Sequence, residues 1–346
     1  MLCAHCIYLS VGILCQLRSL VAQRRSALCL RDLFVDRLDT PSSRTGTSRI
    51  DELRSGECME GGHRVKHFIF AVFCATASLF GADGLVVTSG VTFSAHLPEN
   101  GGIASAFLSG LNVSGVVAAQ SVPLPLSLAG VTVDVCGASA PLYAIADLGG
   151  YQQINFQVPW ESQFIFDGTV DYYRCVVTVR QGGFQATQNA YVWFVAADVF
   201  FTPDFVGIMQ HGADYSLVTR SHPAVPGEAV VLYAAALPQT SPPVLTGAAA
   251  PYSPLAVVPE PNLSFLWIEI DVVIDSLSVH PSFVGLVPGQ VGLYQLNFRV
   301  PETISAGDHS LKIVIGECKA INGDGCRGPE GPFSSSNSVV LPVGTP

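Results

Sequence analysis

The chain has 346 residues, is 49% hydrophobic and 13% charged, contains 33 Gly and 23 Pro, and has a formal net charge of −10. So few charges with so much apolar content exclude an intrinsically disordered chain, and the many turn residues point to short strands. From residue 83 onward twenty acidic side chains face seven basic ones, an excess that repels phosphate and excludes nucleic acid as a partner.

Residues 1–58 carry eight Arg and no Lys. Their cysteines, Cys3, Cys6, Cys15, Cys29 and Cys58, have no metal-site rhythm, and the Cys3-x-x-Cys6 pair has no partner pair to complete a zinc or redox motif. This stretch reads as a disordered or mis-assigned extension. Met59 opens a second start: Arg64 and Lys66 are followed by a 13-residue apolar run, 68–80, and then by Gly81 and Ala82. That is the layout of a secretory signal peptide, too short for a membrane span of ~20 residues. The expectation is a signal peptide over 59–82 and a mature, exported chain beginning near Ala82 or Asp83. The uncharged stretch 101–133 contains Pro123 and Pro125, which do not suit a spanning helix, so no membrane span is expected in the mature chain.

The exported body divides into a first domain over 85–200, a linker over 201–225 and a second domain over 226–346. In the first, 106–110, 130–137, 153–158, 173–180 and 190–195 read as strands. Val131, Val133 and Val135 alternate with Thr132, Asp134 and Cys136, the period of a half-buried strand, and Gln181-Gly182-Gly183 reads as a hairpin turn. In the second, 229–234, 268–275, 295–300, 311–315 and 338–341 read as strands, with a long Pro- and Gly-rich loop over 238–254. No long amphipathic helix is predicted. Antiparallel β-sandwiches of immunoglobulin-like type follow, one per domain, so the chain is expected to be all-β.

A repeat supports the duplication. Gln153-Ile154-Asn155-Phe156-Gln157-Val158-Pro159 returns 142 positions later as Gln295-Leu296-Asn297-Phe298-Arg299-Val300-Pro301, with five of seven residues identical. The period is far beyond that of a solenoid. The proline ends each strand because it cannot donate to a ladder. Gln153, Asn155 and Pro159, with Gln295, Asn297 and Pro301, are therefore read as a structural motif, and the two asparagines are expected to satisfy neighbouring backbone groups.

Four cysteines remain in the exported body: Cys136, Cys175, Cys318 and Cys326. Three pairings are possible; the domain division favours Cys136–Cys175 and Cys318–Cys326 as structural disulfides. No nucleophile elbow, phosphate loop, dinucleotide fingerprint or paired-histidine zinc motif is present. His96, His211, His222, His280 and His309 stand singly, and Glu269, Asp271 and Asp275 read as the solvated face of one strand. The turn 322–325 (Asn-Gly-Asp-Gly) lacks the alternating acids of a calcium loop. No catalytic residue, metal or cofactor is expected. The candidate binding residues are aromatic: Trp160, Tyr172 and Tyr173 could form a stacking platform for a sugar, although core or seam packing is the favoured reading of such aromatics.

Several ordered words carry a family resemblance. They are 125–133 (PLSLAGVTV), 140–142 (APL) and 153–161 (QINFQVPWE) in the first half. In the second half they are 223–228 (PAVPGE), 231–233 (VLY), 246–248 (TGA), 285–289 (GLVPG) and 292–297 (GLYQLN). Together they resemble a domain of unknown function found at the C-termini of secreted acidobacterial (Solibacter-type) proteins. The resemblance covers roughly 100–343. It implies tandem IPT/TIG-like immunoglobulin folds and brings no activity or catalytic residues with it. The chain departs from the pattern at Ala236-Leu237-Pro238 and Asp275-Ser276, and its cysteines look particular to it. The expected function is a secreted or cell-surface, non-enzymatic module that binds or spaces an extracellular protein or glycan. The alternative is a carbohydrate-binding or carbohydrate-acting protein.

Overall fold

Alternating apolar residues on short strands bury one face of each sheet, and the architecture follows from that pattern. The computed structural model describes residues 84–166, 172–193, 197–259, 267–318 and 334–345, and every strand or helix assigned in them is a strand. Residues 1–58, the expected signal peptide and Cys326 lie outside these residues, as do the side chains of Tyr172 and Cys318. Among the described residues no helix is long and apolar enough to cross a membrane.

The first ten strands are β1 (Val86–Ser89), β2 (Ile103–Leu108), β3 (Val116–Ala118), β4 (Val131–Val135), β5 (Ala138–Ser139), β6 (Leu142–Asp147), β7 (Gln152–Gln157), β8 (Ile165–Phe166), β9 (Tyr172–Gln181) and β10 (Phe184–Trp193). They form two sheets, ordered β1-β2-β7-β6-β3 and β10-β9-β4-β5, with β8 also on β9. Val131, Val133 and Val135 point inward beside Val177 and Val179 and meet Ile154, Phe156 and Val158 from the facing sheet in one core. Of the segment read as a short closing strand at 190–195, residues 190–193 are the end of the ten-residue β10, which is paired along its whole length with β9 around Gly182-Gly183, and 194–195 lie outside the described residues. Cys136 and Cys175 are joined as expected, with Cα atoms 5.2 Å apart.

The other ten are β11 (Asp198–Val199), β12 (Met209–His211), β13 (Ala229–Ala235), β14 (Trp267–Ile274), β15 (Leu277–Val279), β16 (Phe283–Leu286), β17 (Tyr294–Arg299), β18 (Gly307–Cys318), β19 (Ser334–Ser335) and β20 (Val339–Val343). Their sheets run β11-β13-β17-β16, with β12 also on β13, and β15-β14-β18-β19, with β20 also on β18. Ile270, Val272 and Ile274 lie in the core with Leu311, Ile313, Leu296 and Phe298. Here the structure corrects the boundaries. Asp198 and Val199, assigned to the first domain, pair with Ala235 and Ala234 of the second. The expected linker 201–225 contains β12, whose Met209 pairs with Leu232. Val199 and Met209 are fully buried in the second core, and that burial holds the segment to β13. Two face-to-face pairs of antiparallel sheets with crossed-over strand order define the class: two immunoglobulin-like β-sandwiches in tandem.

The duplication reaches individual hydrogen bonds. Ile103 pairs with Gln157 and Ala229 with Arg299, so β2–β7 and β13–β17 share one register. Gly101 and Gly227 both have φ of +81°, and their amides donate to Val158 and Val300, the residues that precede the two motif prolines. The turn 89–94 matches 211–216. In both, the second residue is a glycine whose amide donates to the strand β2 or β13, and the fifth is a non-glycine in the left-handed region, Phe93 (φ 58°) or Tyr215 (φ 62°).

Candidate functional site

The repeated motif puts Ile154 and Phe156 inward, which turns Gln153, Asn155 and Gln157 to the opposite face. That face would ordinarily be solvated, yet these three polar side chains are buried. The asparagine expectation is corrected in kind: Asn155 Oδ1 accepts from Ser105 Oγ at 2.8 Å and from Gln153 Nε2 at 2.7 Å, side chains rather than backbone. Gln295 Nε2 repeats the contact with Asn297 Oδ1 at 3.4 Å. The physical reason is parity. Residues two apart on one strand share a face, so glutamine and asparagine meet each other before they can reach a backbone group already held in the ladder.

Gln157 ends the stripe where the second sandwich abuts the first. Its Nε2 donates to the Gly101 carbonyl at 3.3 Å and its Oε1 accepts the Gly247 N–H at 2.7 Å. The Leu124 N–H donates to the Gly247 carbonyl at 2.8 Å, and the Tyr143 hydroxyl donates to the Val291 carbonyl at 3.1 Å. Trp160 belongs to this seam. Its backbone N–H donates to Thr246 Oγ1 at 3.0 Å, and its indole, half-buried, packs against Gly101. Thr246 Oγ1 in turn donates to Glu161 Oε2 at 2.7 Å. The seam is completed by Ser89. Its Oγ accepts from the amides of Val91 and Thr92 and donates to Asp198 Oδ2 at 2.7 Å, with both residues buried. Desolvation by burial pushes the Asp198 carboxyl up to about 6, against the opposing pull of the Ser89 hydroxyl.

Gly101 offers an internal control. A Cβ there would collide with the Trp160 indole, whereas at Gly227 the nearest atom, Glu302 Cγ, lies 3.5 Å away. Both sites carry the same positive φ, so Gly101→Ala and Gly227→Ala share the cost of the left-handed backbone. Gly101→Ala is expected to destabilise by a further ~1–2 kcal/mol from overpacking. Urea unfolding of the two variants measures the difference, and equal losses would remove Trp160 from the seam's energetics.

Tyr173 lies elsewhere in the first sandwich, on β9, with its ring 5.6 Å from that of the exposed Phe166. Across β9–β10, Arg174 sits 5.9 Å over the exposed Tyr191 ring. The predicted aromatic set is thus divided: Trp160 is in the seam and Tyr173 is with Phe166. On β14, Glu269 and Asp271 bring their carboxylates within 4.8 Å of a His280 nitrogen. Asp271 already accepts from the Ser278 hydroxyl and faces His280 Nδ1 at 3.2 Å.

The reading of single, scattered histidines is corrected at β12. His211 and His222 stack with ring centroids 4.2 Å apart. His211 Nδ1 lies 2.8 Å from Glu228 Oε1 and its Nε2 3.3 Å from the His222 carbonyl. They line an open cleft of about 510 Å³ with Gly212, Asp214 and Arg299. Eleven positions separate these histidines, and only the fold of 211–222 back toward β13 joins them, so no sequence spacing announces the pair.

No protein-family model matches the chain, and no curated protein does. Among solved structures it is similar to a chimeric titin Z1Z2 functionalized with an exogenous peptide from decorin, at 14% identity over 77% of this chain and 99% of that one, with a TM-score of 0.15. It is also similar to the C-terminal domain of the AgI/II polypeptide BspA of Streptococcus agalactiae, at 10% identity over 74% and 98%, with a TM-score of 0.17. An endo-fucoidan hydrolase of glycoside hydrolase family 107 matches at 11% identity over 77% and 45%, with a TM-score of 0.12. The assignment of two immunoglobulin-like sandwiches rests on the strand order and register above, not on these scores.

Proposed function

We propose that this protein is an exported, non-enzymatic module that holds two immunoglobulin-like sandwiches in a fixed arrangement, for spacing or binding outside the cell. The observation that carries the reading is the seam. Gln157, Tyr143, Trp160 and Ser89 each give a polar contact to the second sandwich, and buried groups satisfied in this way fix orientation more than they add stability. The Cys136–Cys175 bridge supports an oxidising compartment, as does the apolar run 68–80 behind a basic start. The ordered words shared with the acidobacterial domain support membership of that secreted family.

X-ray scattering of the exported protein tests the fixed arrangement. One rigid pair is expected to fit the profile, and a requirement for many interdomain angles would remove the spacing role. N-terminal sequencing tests export: a start near Ala82 or Asp83 is expected, and recovery of residues 1–58 from the medium would refute it. The carbohydrate alternative draws on the exposed Phe166 and Tyr191. A glycan array with Phe166→Ala and Tyr191→Ala controls decides it: a bound sugar lost on either substitution would favour the alternative, and an array that binds nothing would remove it.

A further inference from the structure

We infer that the end of the second sandwich around Gly212, Glu228 and Arg299 is a docking site for an extended polypeptide segment that presents a carboxylate. The site supplies a partner for the binding half of the reading above; export and the fixed seam are tested separately and do not depend on it.

The inference comes from equivalence with an interface already present in the molecule. Shared register makes Ser89, Gly102 and Gln157 of the first sandwich the counterparts of His211, Glu228 and Arg299 of the second. In the first sandwich this end is covered by chain: the Asp198 carboxylate meets Ser89, the Gly247 amide meets Gln157, and Gly102 lies against Ala236. In the second, the same positions line the open cleft of about 510 Å³, a volume within the ~300–1,000 Å³ range of ligand sites.

The substitution at the motif's fifth position sets the chemistry of the occupant. Gln157 uses its Nε2 to hold the Gly101 carbonyl and offers Oε1 to an incoming N–H. Arg299 repeats the inner contact, with Nη1 donating to the Gly227 carbonyl at 2.7 Å. The rest of its guanidinium can only donate, so the polarity of the outer contact is reversed and the partner must supply an acceptor. A carboxylate matches the guanidinium fork best. The exposed His222 lines the same cleft. Of the two acids at the cleft, Glu228 is turned onto His211 Nδ1, and Asp214 is turned back onto the Ser216 amide and hydroxyl. The covering segments of the first sandwich are extended or turn backbone, hence a peptide rather than a compact small molecule.

The test is an NMR titration of the full ¹⁵N-labelled chain with two capped peptides, acetyl-Thr-Asp-Thr-Val-amide and its Thr-Asn-Thr-Val counterpart, and with acetate alone. The acidic peptide is expected to shift the Gly212, Ala213 and Ala229 amides saturably, and Arg299→Gln, the residue already tolerated at the equivalent position, to weaken it about tenfold. His222→Ala, which removes the ring stacked on His211 and leaves Arg299 in place, serves as a second variant and is expected to weaken it less. Absence of saturable shifts, equal affinity for the two peptides, indifference to Arg299→Gln, or acetate matching the acidic peptide at the same amides would each overturn the assignment.

Discussion

Removal of the Cys136–Cys175 bridge, as a Cys136→Ala, Cys175→Ala double variant, is expected to lower the stability of the first sandwich by roughly 4 kcal/mol in the chain-entropy model. The bridged residues are 39 apart in sequence, so the unfolded chain loses a large closed loop. The native backbone pairing loses little. Cys136 directly follows β4, and its neighbour Val135 is paired with Val177 on β9, so the two backbones are already held together by the ladder. A loss acting through the unfolded state shifts the denaturant midpoint down, and releasing the loop also exposes more surface on unfolding, raising the slope modestly. Urea unfolding of the double variant checks this. An unmoved midpoint would show that the ladder alone sets the stability of this sheet, and the bridge would then be a mark of compartment, not of strength.

The fold was legible where residues repeat or alternate over at least five positions. Val131, Val133 and Val135, and Ile270, Val272 and Ile274, carry the period of a half-buried strand in plain view, and the twin heptapeptides announce the duplication. The turns 89–94 and 211–216 adopt one conformation yet share only glycine and serine, Gly90 with Gly212 and Ser94 with Ser216. What they conserve is φ and backbone hydrogen bonding, which many side chains satisfy, so the letters give no notice. Strands of two or three residues such as β11 and β12 are too short to show a period, and so 201–225 read as a linker. The seam was the least legible part. Gln157 and Ser89 are residue types that normally face water, and only the second sandwich lying over them makes them interior. Trp160 admitted an exposed platform beside the favoured core or seam packing, because a tryptophan after a strand-ending proline has the same letters in a seam as on a surface.

Asp198→Asn is expected to stabilise the protein at pH 8 by up to about 3 kcal/mol while changing it little at pH 4. In the native state burial lifts this carboxyl to about 6, whereas in the unfolded chain it titrates near the ordinary ~3.9. Between those values the folded protein binds the extra proton. The contribution of Asp198 to stability is therefore greatest below about pH 4, falls as pH rises through about 6, and stays lower above it. Asparagine keeps an oxygen to accept the Ser89 hydroxyl and removes the titration. Denaturant unfolding of both proteins from pH 4 to 8 should give curves that meet at low pH and separate across pH 4–6. Parallel curves would mean that Asp198 is hydrated and that the Ser89 contact lies at an open edge of the seam. Ser89→Ala sharpens the test: the hydroxyl favours the ionised carboxylate, so its loss should carry the upper end of the stability decline to higher pH. A decline that moved down instead would show that the serine restrains the carboxyl by position, not by donating to its charge.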